Sequence, residues 1–398
     1  MVNSLFLYLI MDEVYSMNDI RKGIRFSPSI CLTHSCNLDC IYCYQKHDGN
    51  NRMSFETACK CIDYIFNNVP DDMNGVEISF IGGEPLIEFE LIKKIVEYTI
   101  ENYKSEQYIF YATTNGTVLN AEMKQYFTAH KDHFVLGLSL DGIPEVHNKN
   151  RSNSFDKIDI DFFIKTWPNQ SVKMTLSEYS LEHLAESIIY IHSLGFKEIG
   201  GVNLFEGTFD WSDPKYIRTL IPQLQELVSY YVENDSLTVN QMLSRKIYVC
   251  EETNRPKRKW CGIGTGAIFF DTDGTRLPCP FITPMTFDKQ ELEDILKTDF
   301  NNQANFIDDD CFKNCYIYPI CPHCAGANYL TQKTFKNRDK SRCRIQKLIT
   351  LYCADLQAKR LLKNPKSVSE DKLYYTISAV KRIREEFLDE FRDFADIM

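Results

Sequence analysis

Through the first two thirds of the chain, short runs of β-branched and aromatic residues alternate with stretches whose apolar positions recur at helical spacing. The runs Ser29–Thr33, Val76–Ile81, Tyr108–Thr113, Phe134–Leu140, Val172–Leu176 and Glu198–Leu204 predict strands. The amphipathic stretches Ser54–Asn67, Glu88–Tyr103 and Leu181–Leu194 predict helices between them. Strands alternating with helices imply a parallel α/β sheet, curved as a partial (β/α)6 TIM-type barrel, whose functional groups sit where the strands end.

The pattern changes after Phe205. Asp210–Arg245 reads as helical, and Pro256–Lys259 as an exposed basic turn. From Trp260 to Cys343 the chain is rich in cysteines and turns, a composition that suits a region held by metal more than by a large core. Beyond Pro365, the apolar residues Leu373, Ile377, Val380, Ile383, Phe387, Phe391, Phe394 and Met398 predict one terminal amphipathic helix. The expected division is an N-terminal extension (1–27), a barrel (28–235), a cysteine-rich domain (236–345) and a C-terminal helical segment (346–398).

Composition narrows the function classes. A chain of 398 residues, 44% hydrophobic, supports two domains or one large domain with an extension. The early apolar run Leu5–Met11 is too short for a bilayer and lacks the basic flank of a secretory signal, so a cytoplasmic protein without a membrane partner is expected. The net charge of -10 disfavours a nucleic-acid partner, which needs an electropositive face. Fifteen cysteines in a reducing compartment point to metal ahead of disulfides.

Three of them, Cys36, Cys40 and Cys43, share one short loop after the first strand. Three soft thiolates can hold three irons of a cubane 4Fe–4S cluster and leave the fourth iron open. A zinc knuckle is the rival. Zinc closes on four ligands, and only His34 or His47 is near enough in sequence to be the fourth, so spacing favours iron–sulfur. Gly82-Gly83-Glu84-Pro85 follows the second strand and Thr114-Asn115-Gly116 ends the third. Ser139-Leu140-Asp141-Gly142 ends the fourth, with His147 and Arg151 beyond. Singly, such sequences are ordinary turns.

In that order they resemble the radical S-adenosylmethionine superfamily, whose C-x3-C-x-aromatic-C signature has Tyr42 at its aromatic place. The resemblance implies that the amino and carboxylate groups of S-adenosylmethionine chelate the open iron. An electron then cleaves the sulfonium to methionine and a 5′-deoxyadenosyl radical, which abstracts hydrogen from substrate. It also implies that Gly82, Gly83, Glu84 and Pro85 hold the amino group, Ser139 the ribose hydroxyls and Arg151 the carboxylate. Asn115 and Asp141 are further cofactor contacts on the same basis.

A second constellation comprises Cys261, Cys279, the quartet Cys311-x3-Cys315-x5-Cys321-x2-Cys324, and Cys343. Spacing alone divides evenly between iron–sulfur clusters and zinc-ribbon-like sites. The pattern resembles the SPASM extension of radical S-adenosylmethionine peptide-modifying enzymes, although the usual quartet gaps are x2, x5 and x3. The resemblance implies two auxiliary clusters, hence three 4Fe–4S clusters in all. The inner one would use Cys261, Cys279 and Cys324, and the outer one Cys311, Cys315, Cys321 and Cys343. The inner set is one ligand short, so either Cys250 completes it or one iron is open to substrate. Cys31, Cys59, Cys61 and Cys353 are expected to be buried small hydrophobes.

The leading functional expectation is an anaerobic peptide-modifying oxidoreductase acting on a ribosomally made precursor peptide and installing a thioether or carbon–carbon crosslink. A flavodoxin or ferredoxin would donate electrons. The first rival is the sulfatase-maturase class, which oxidises Ser or Cys to formylglycine; its members carry an Asp base directly after the second SPASM cysteine, where this chain has Pro280. The second rival is a non-catalytic iron–sulfur or zinc scaffold. The segment before Cys36 is too short for the leader-binding module of some peptide maturases, so leader recognition is expected from a separate leader-binding protein or from the barrel face, or is not needed.

Overall fold

The computed structural model describes residues 26–47, 50–71, 75–103, 108–204, 211–252, 257 and 259–398. The run Leu5–Met11 lies outside these residues, as do most of the N-terminal extension and most of the basic turn. The strand–helix repeat comprises β1 (Ser29–Thr33), α1 (Phe55–Asn67), β2 (Val76–Gly82), α2 (Phe89–Asn102), β3 (Tyr108–Thr114), α3 (Ala121–Ala129) and β4 (Phe134–Leu138). It continues through α4 (Pro144–Asn150), α5 (Ile160–Thr166), β5 (Val172–Leu176), α6 (Leu184–Ser193) and β6 (Ile199–Leu204). Strands β1 to β4 pair parallel in chain order, β5 pairs parallel with β6, and one bridge, Ser139 to Lys173, links the two groups. This is a curved, incompletely closed barrel.

Alternation explains the barrel wall. Ile30, Leu32, Ile78, Phe80, Phe110 and Leu136 are buried, and the rings of Phe80 and Phe110 stack 5.6 Å apart. Helix α1 starts where the Ser54 side chain accepts from the Thr57 N–H, and it buries Ala58, Cys61, Ile62 and Ile65 on one face. Cys31, Cys61 and Cys353 are buried as expected, but Cys59 is not among the buried residues of that face and is partly exposed.

The next helix, α7 (Pro214–Glu233), is shorter than the expected Asp210–Arg245, whose first residue lies outside the described set. Asn234 ends it, donating from both its backbone and its side chain to the Tyr230 carbonyl. Asn240 then accepts from the Met242 and Leu243 N–H groups, which fixes an irregular segment in place of the helix. Lys259, expected on an exposed turn, is buried and donates to the carbonyls of Ile263 and Phe300.

The cysteine-rich region contains a hairpin of β7 (Phe269–Phe270) and β8 (Arg276–Leu277), and the short helices α8 (Lys289–Leu296), α9 (Asp309–Asn314) and α10 (Ala325–Gln332). Strand β7 pairs parallel with the free edge of β1, so this region extends the barrel sheet. Its own core is small, built on residues such as Ile263, Phe287, Phe306 and Phe335. Helices α11 (Cys343–Lys363) and α12 (Glu370–Phe387) complete the chain. The expected single terminal helix is regular only to Phe387; a tighter turn follows to Phe394, with non-helical backbone at the buried Phe391. Among the described residues, no helix is long and apolar enough to cross a membrane.

Candidate active site

The strand-end motifs meet at one cavity of about 1060 Å³, lined at the carboxyl ends of the strands by Gly82, Thr114, Ser139, Thr175 and Val202. Cys36, Cys40 and Cys43 line it too. Their loop is braced by β2: Gly83 N–H donates to the Thr33 carbonyl at 3.0 Å and Glu84 N–H to the Ser35 carbonyl at 2.9 Å. A Cβ on Gly82 would lie 2.4 Å from the Thr33 oxygen, and one on Gly83 2.3 Å from the Ser35 oxygen. Both glycines therefore serve to press the strand end against the cysteine loop. Pro85 is buried at the start of the short turn that follows.

Burial raises the thiol of Cys36 and pushes that of Cys40 up to about 11. Three thiolates here need a cationic partner, which is the chemistry of a metal group. Of the two histidines that could complete a zinc site, His34 is engaged elsewhere, its Nε2 lying 2.6 Å from Asp271 Oδ1. Cys31 joins that pair, and the three ligand-type atoms lie within 4.8 Å of one another. His47 Nε2 stands 3.2 Å from Cys43 Sγ, while its Nδ1–H donates to the His34 carbonyl.

Glu84 lines the cavity but is almost wholly buried. Its carboxylate accepts from the Thr114 hydroxyl and the Asn115 N–H, both at 2.8 Å, and from the Leu86 N–H at 3.1 Å. Desolvation outweighs these bonds and pushes its pKa up to about 7, so a cation beside it is favoured. The Asn115 side chain is taken up by Asn37 and Thr117, tying the end of β3 to the cysteine loop.

Asp141 departs from expectation. It does not line the cavity; fully buried, it accepts from the Tyr42 hydroxyl (2.5 Å), Arg151 Nε (2.9 Å) and Nη2 (3.1 Å), Asn150 (3.2 Å) and the Thr175 N–H (3.1 Å). Tyr42 and Arg151 do line it, with the guanidinium 5.3 Å from the Tyr42 ring centre. Asp141 therefore orients two cavity residues from behind.

The later cysteines fall into two groups. Cys311, Cys315, Cys321 and Cys343 line a second cavity of about 50 Å³. Lys340 Nζ lies 2.7 Å from Cys311 Sγ, and the buried His323 Nε2 and Arg338 Nε, on residues lining the same cavity, have no hydrogen-bond partner among the described residues. Four soft donors ringed by N–H groups suit an anionic iron–sulfur group. Cys279 feels the charge of Cys261, and Cys279 and Cys324 both bear on the buried Tyr44. Cys324 lines the main cavity. Cys250 lies instead in the main core beside Tyr316 and Arg245. Sequence reasoning missed Tyr44, whose ring stacks on Phe281 at 4.4 Å between the first cysteine loop and Cys279. Its adjacency to Cys43 was the only signal.

A parallel partial barrel with three loop cysteines over its strand ends defines a class, and residues 30–207 match the radical SAM superfamily. Residues 30–207 form a radical SAM domain, and the chain is an enzyme homologous to anaerobic sulfatase maturases and SPASM-type peptide maturases, so the scaffold reading falls away. The cysteine-type anaerobic sulfatase-maturating enzyme of Clostridium perfringens is 26% identical over 317 residues, 72% of this chain and 84% of that one. The solved structure of His-tagged anSMEcpe with bound AdoMet has a TM-score of 0.66 at 17% identity, over 89% of this chain and 98% of that chain. Streptococcus suis SuiB bound to its precursor peptide SuiA has a TM-score of 0.55 at 14% identity, over 86% and 82%. These two structures share the fold. S-adenosylmethionine and a 4Fe–4S cluster are the cofactors that accompany it.

Proposed function

We propose that this enzyme matures a ribosomally made peptide, removing hydrogen from an unactivated side chain and closing a thioether or carbon–carbon crosslink. One observation carries the reading: a single cavity of about 1060 Å³ is lined by the loop of Cys36, Cys40 and Cys43 and also by Cys324 of the second cysteine constellation. Cys36, Cys40 and Cys43 would hold the cluster that works with S-adenosylmethionine. Cys261, Cys279 and Cys324, and separately Cys311, Cys315, Cys321 and Cys343, would hold two more. The cofactor pair supplies a hydrogen-abstracting radical when bound.

The chain's own residues bind, orient and shield. Glu84 would accept an N–H of the iron-bound methionine amino group, and Arg151, held by Asp141 and lying over the Tyr42 ring, would donate to the carboxylate. Ser139, which lines the same cavity, would meet the ribose. Leu38, Val202, Met242 and Ile349 give the cavity an apolar surface that keeps water from a reactive carbon. With three thiols in the inner set, a cysteine of the substrate is its natural fourth ligand, which favours a thioether. A flavodoxin or ferredoxin supplies the electron, and a separate leader-binding protein is a candidate partner.

The similarity to sulfatase maturases favours a second reading, oxidation of Ser or Cys to formylglycine. Against it, Pro280 follows Cys279, and Glu84 is the only carboxylate among the described lining residues. Anaerobic co-expression with candidate peptides, read by mass spectrometry, separates them. A crosslinked product that has lost two hydrogens supports the first reading; an aldehyde replaces it with the second. Cleavage of S-adenosylmethionine without any peptide change across a broad peptide panel overturns both.

A further inference from the structure

One wall of the main cavity is basic. Apart from Arg151, which Asp141 neutralises, the cavity is lined by Arg245 and Lys246 from the irregular segment after α7. Arg342 and Arg360 line it from either end of α11. Glu84 belongs to the β2–β3 side. At 100° per residue, Arg342, Gln346, Ile349 and Arg360 share one helical face, and all four line the cavity. From Arg342 to Arg360 that face runs about 27 Å at 1.5 Å per residue, the reach of about eight residues of extended chain.

Among the described residues, the hydrogen-bond partners of two of these arginines are neutral. Arg245 donates to the Gln346 carbonyl (3.3 Å), the Gln346 side-chain oxygen (2.5 Å) and the Thr350 hydroxyl (3.0 Å). Arg360 donates to the carbonyls of Tyr231 (2.8 and 3.1 Å) and Leu237 (3.3 Å). Asp235, the acid whose charge reaches Arg360, is itself paired with Lys363 at 2.9 Å. A guanidinium has five N–H donors in a fork that matches a carboxylate, so both keep capacity toward the cavity. The outer cysteine group accounts for Arg342, which lines both cavities, and bears on Arg245 through Cys321. It does not account for Arg360, at the other end of α11. A chain of net charge -10 has thus gathered cations on the wall facing its substrate space.

We propose that this wall reads carboxylates: the substrate peptide carries an acidic segment that lies extended along α11, with Asp or Glu side chains at Arg245 and Arg360. The inference rests on the peptide-maturase reading and adds the substrate class. The test uses the cluster-loaded, full-length enzyme with S-adenosylmethionine and a rhodamine-labelled octapeptide alternating aspartate and glycine, followed by fluorescence anisotropy. The aspartate probe is expected to bind roughly tenfold tighter than its asparagine twin for each carboxylate engaged, with affinity falling as salt rises. Arg360→Gln and Arg245→Gln are each expected to remove about one such factor for the aspartate probe and none for the asparagine twin. Equal binding of the twins, or tighter binding of a lysine twin, overturns the proposal. Because Arg245 also latches α11, the twin comparison on the unaltered enzyme decides the matter if that variant does not fold. Binding and cleavage of S-adenosylmethionine without peptide are measured alongside. Their failure counts against the maturase reading, whereas the acid preference is judged from the probes.

Discussion

Five hydrogen bonds converge on the Asp141 carboxylate, and two of them come from Arg151, the charged group that reaches the cavity beyond it. Truncating the acid strands a buried guanidinium. Asp141→Ala is therefore expected to lose about 3–5 kcal/mol of stability in anaerobic urea unfolding. Asp141→Asn keeps the shape and should lose less, while weakening S-adenosylmethionine binding through a loosened Arg151. A full-stability Ala variant would remove Asp141 from this role. Glu84 gives a prediction in pH. Its folded-state pKa is raised to about 7, so burial favours the protonated form. In the free enzyme that contribution to stability is present at low pH and is lost as pH rises through about 7. The N–H groups of an iron-bound amino group pair best with the ionised form, so S-adenosylmethionine should bind more tightly as pH rises through the same window. Calorimetry should find that rise flattened in Glu84→Gln; an unchanged profile would place the amino contact elsewhere.

Among the elements, those bounded by their own residues were legible. The strands Ser29–Thr33 and Val172–Leu176 match residue for residue, because turn-forming sequence brackets each. Elements set by distant partners were not. Strand β7 has two residues and exists because β1 offers it an edge, and α7 stops where Asn234 competes for a carbonyl. The candidate site divides the same way. Cys36, Cys40 and Cys43 could be read from spacing and the strand-end motifs from their resemblance to a family, since local turns position both. The backing of Arg151 by Asp141, the Tyr44–Phe281 stack and the basic face of α11 arise only when separate segments pack. Cys250 is a case where sequence proximity suggested a ligand and the fold put the thiol in the main core, on the turn Ile247–Glu251. Cys250→Ala should leave iron content and the spectra of the inner cluster unchanged, at a stability cost of about 1 kcal/mol for the lost packing. Loss of that cluster alone would make Cys250 its ligand after all.

For the molecule as a whole, the proposed inventory is three cubanes, so anaerobically reconstituted enzyme should hold about twelve irons. Replacing Cys36, Cys40 and Cys43 together by Ala should remove about a third and abolish S-adenosylmethionine cleavage, as metal analysis and product chromatography would register. Stoichiometric zinc in place of iron would end the three-cluster account. The pairing of β7 with β1 also has a consequence in time. Ser29 meets Phe269 across the sheet, so β1 waits for a partner made much later. At 5–20 residues per second, the ribosome leaves that edge bare for roughly 10–50 s. The three-cysteine loop emerges directly behind it, so its thiols are made while that edge is still unpaired. A nascent chain that stalls in that interval exposes hydrogen-bonding edge and reactive thiols together, a combination prone to aggregation and one that ties healthy biogenesis to steady elongation.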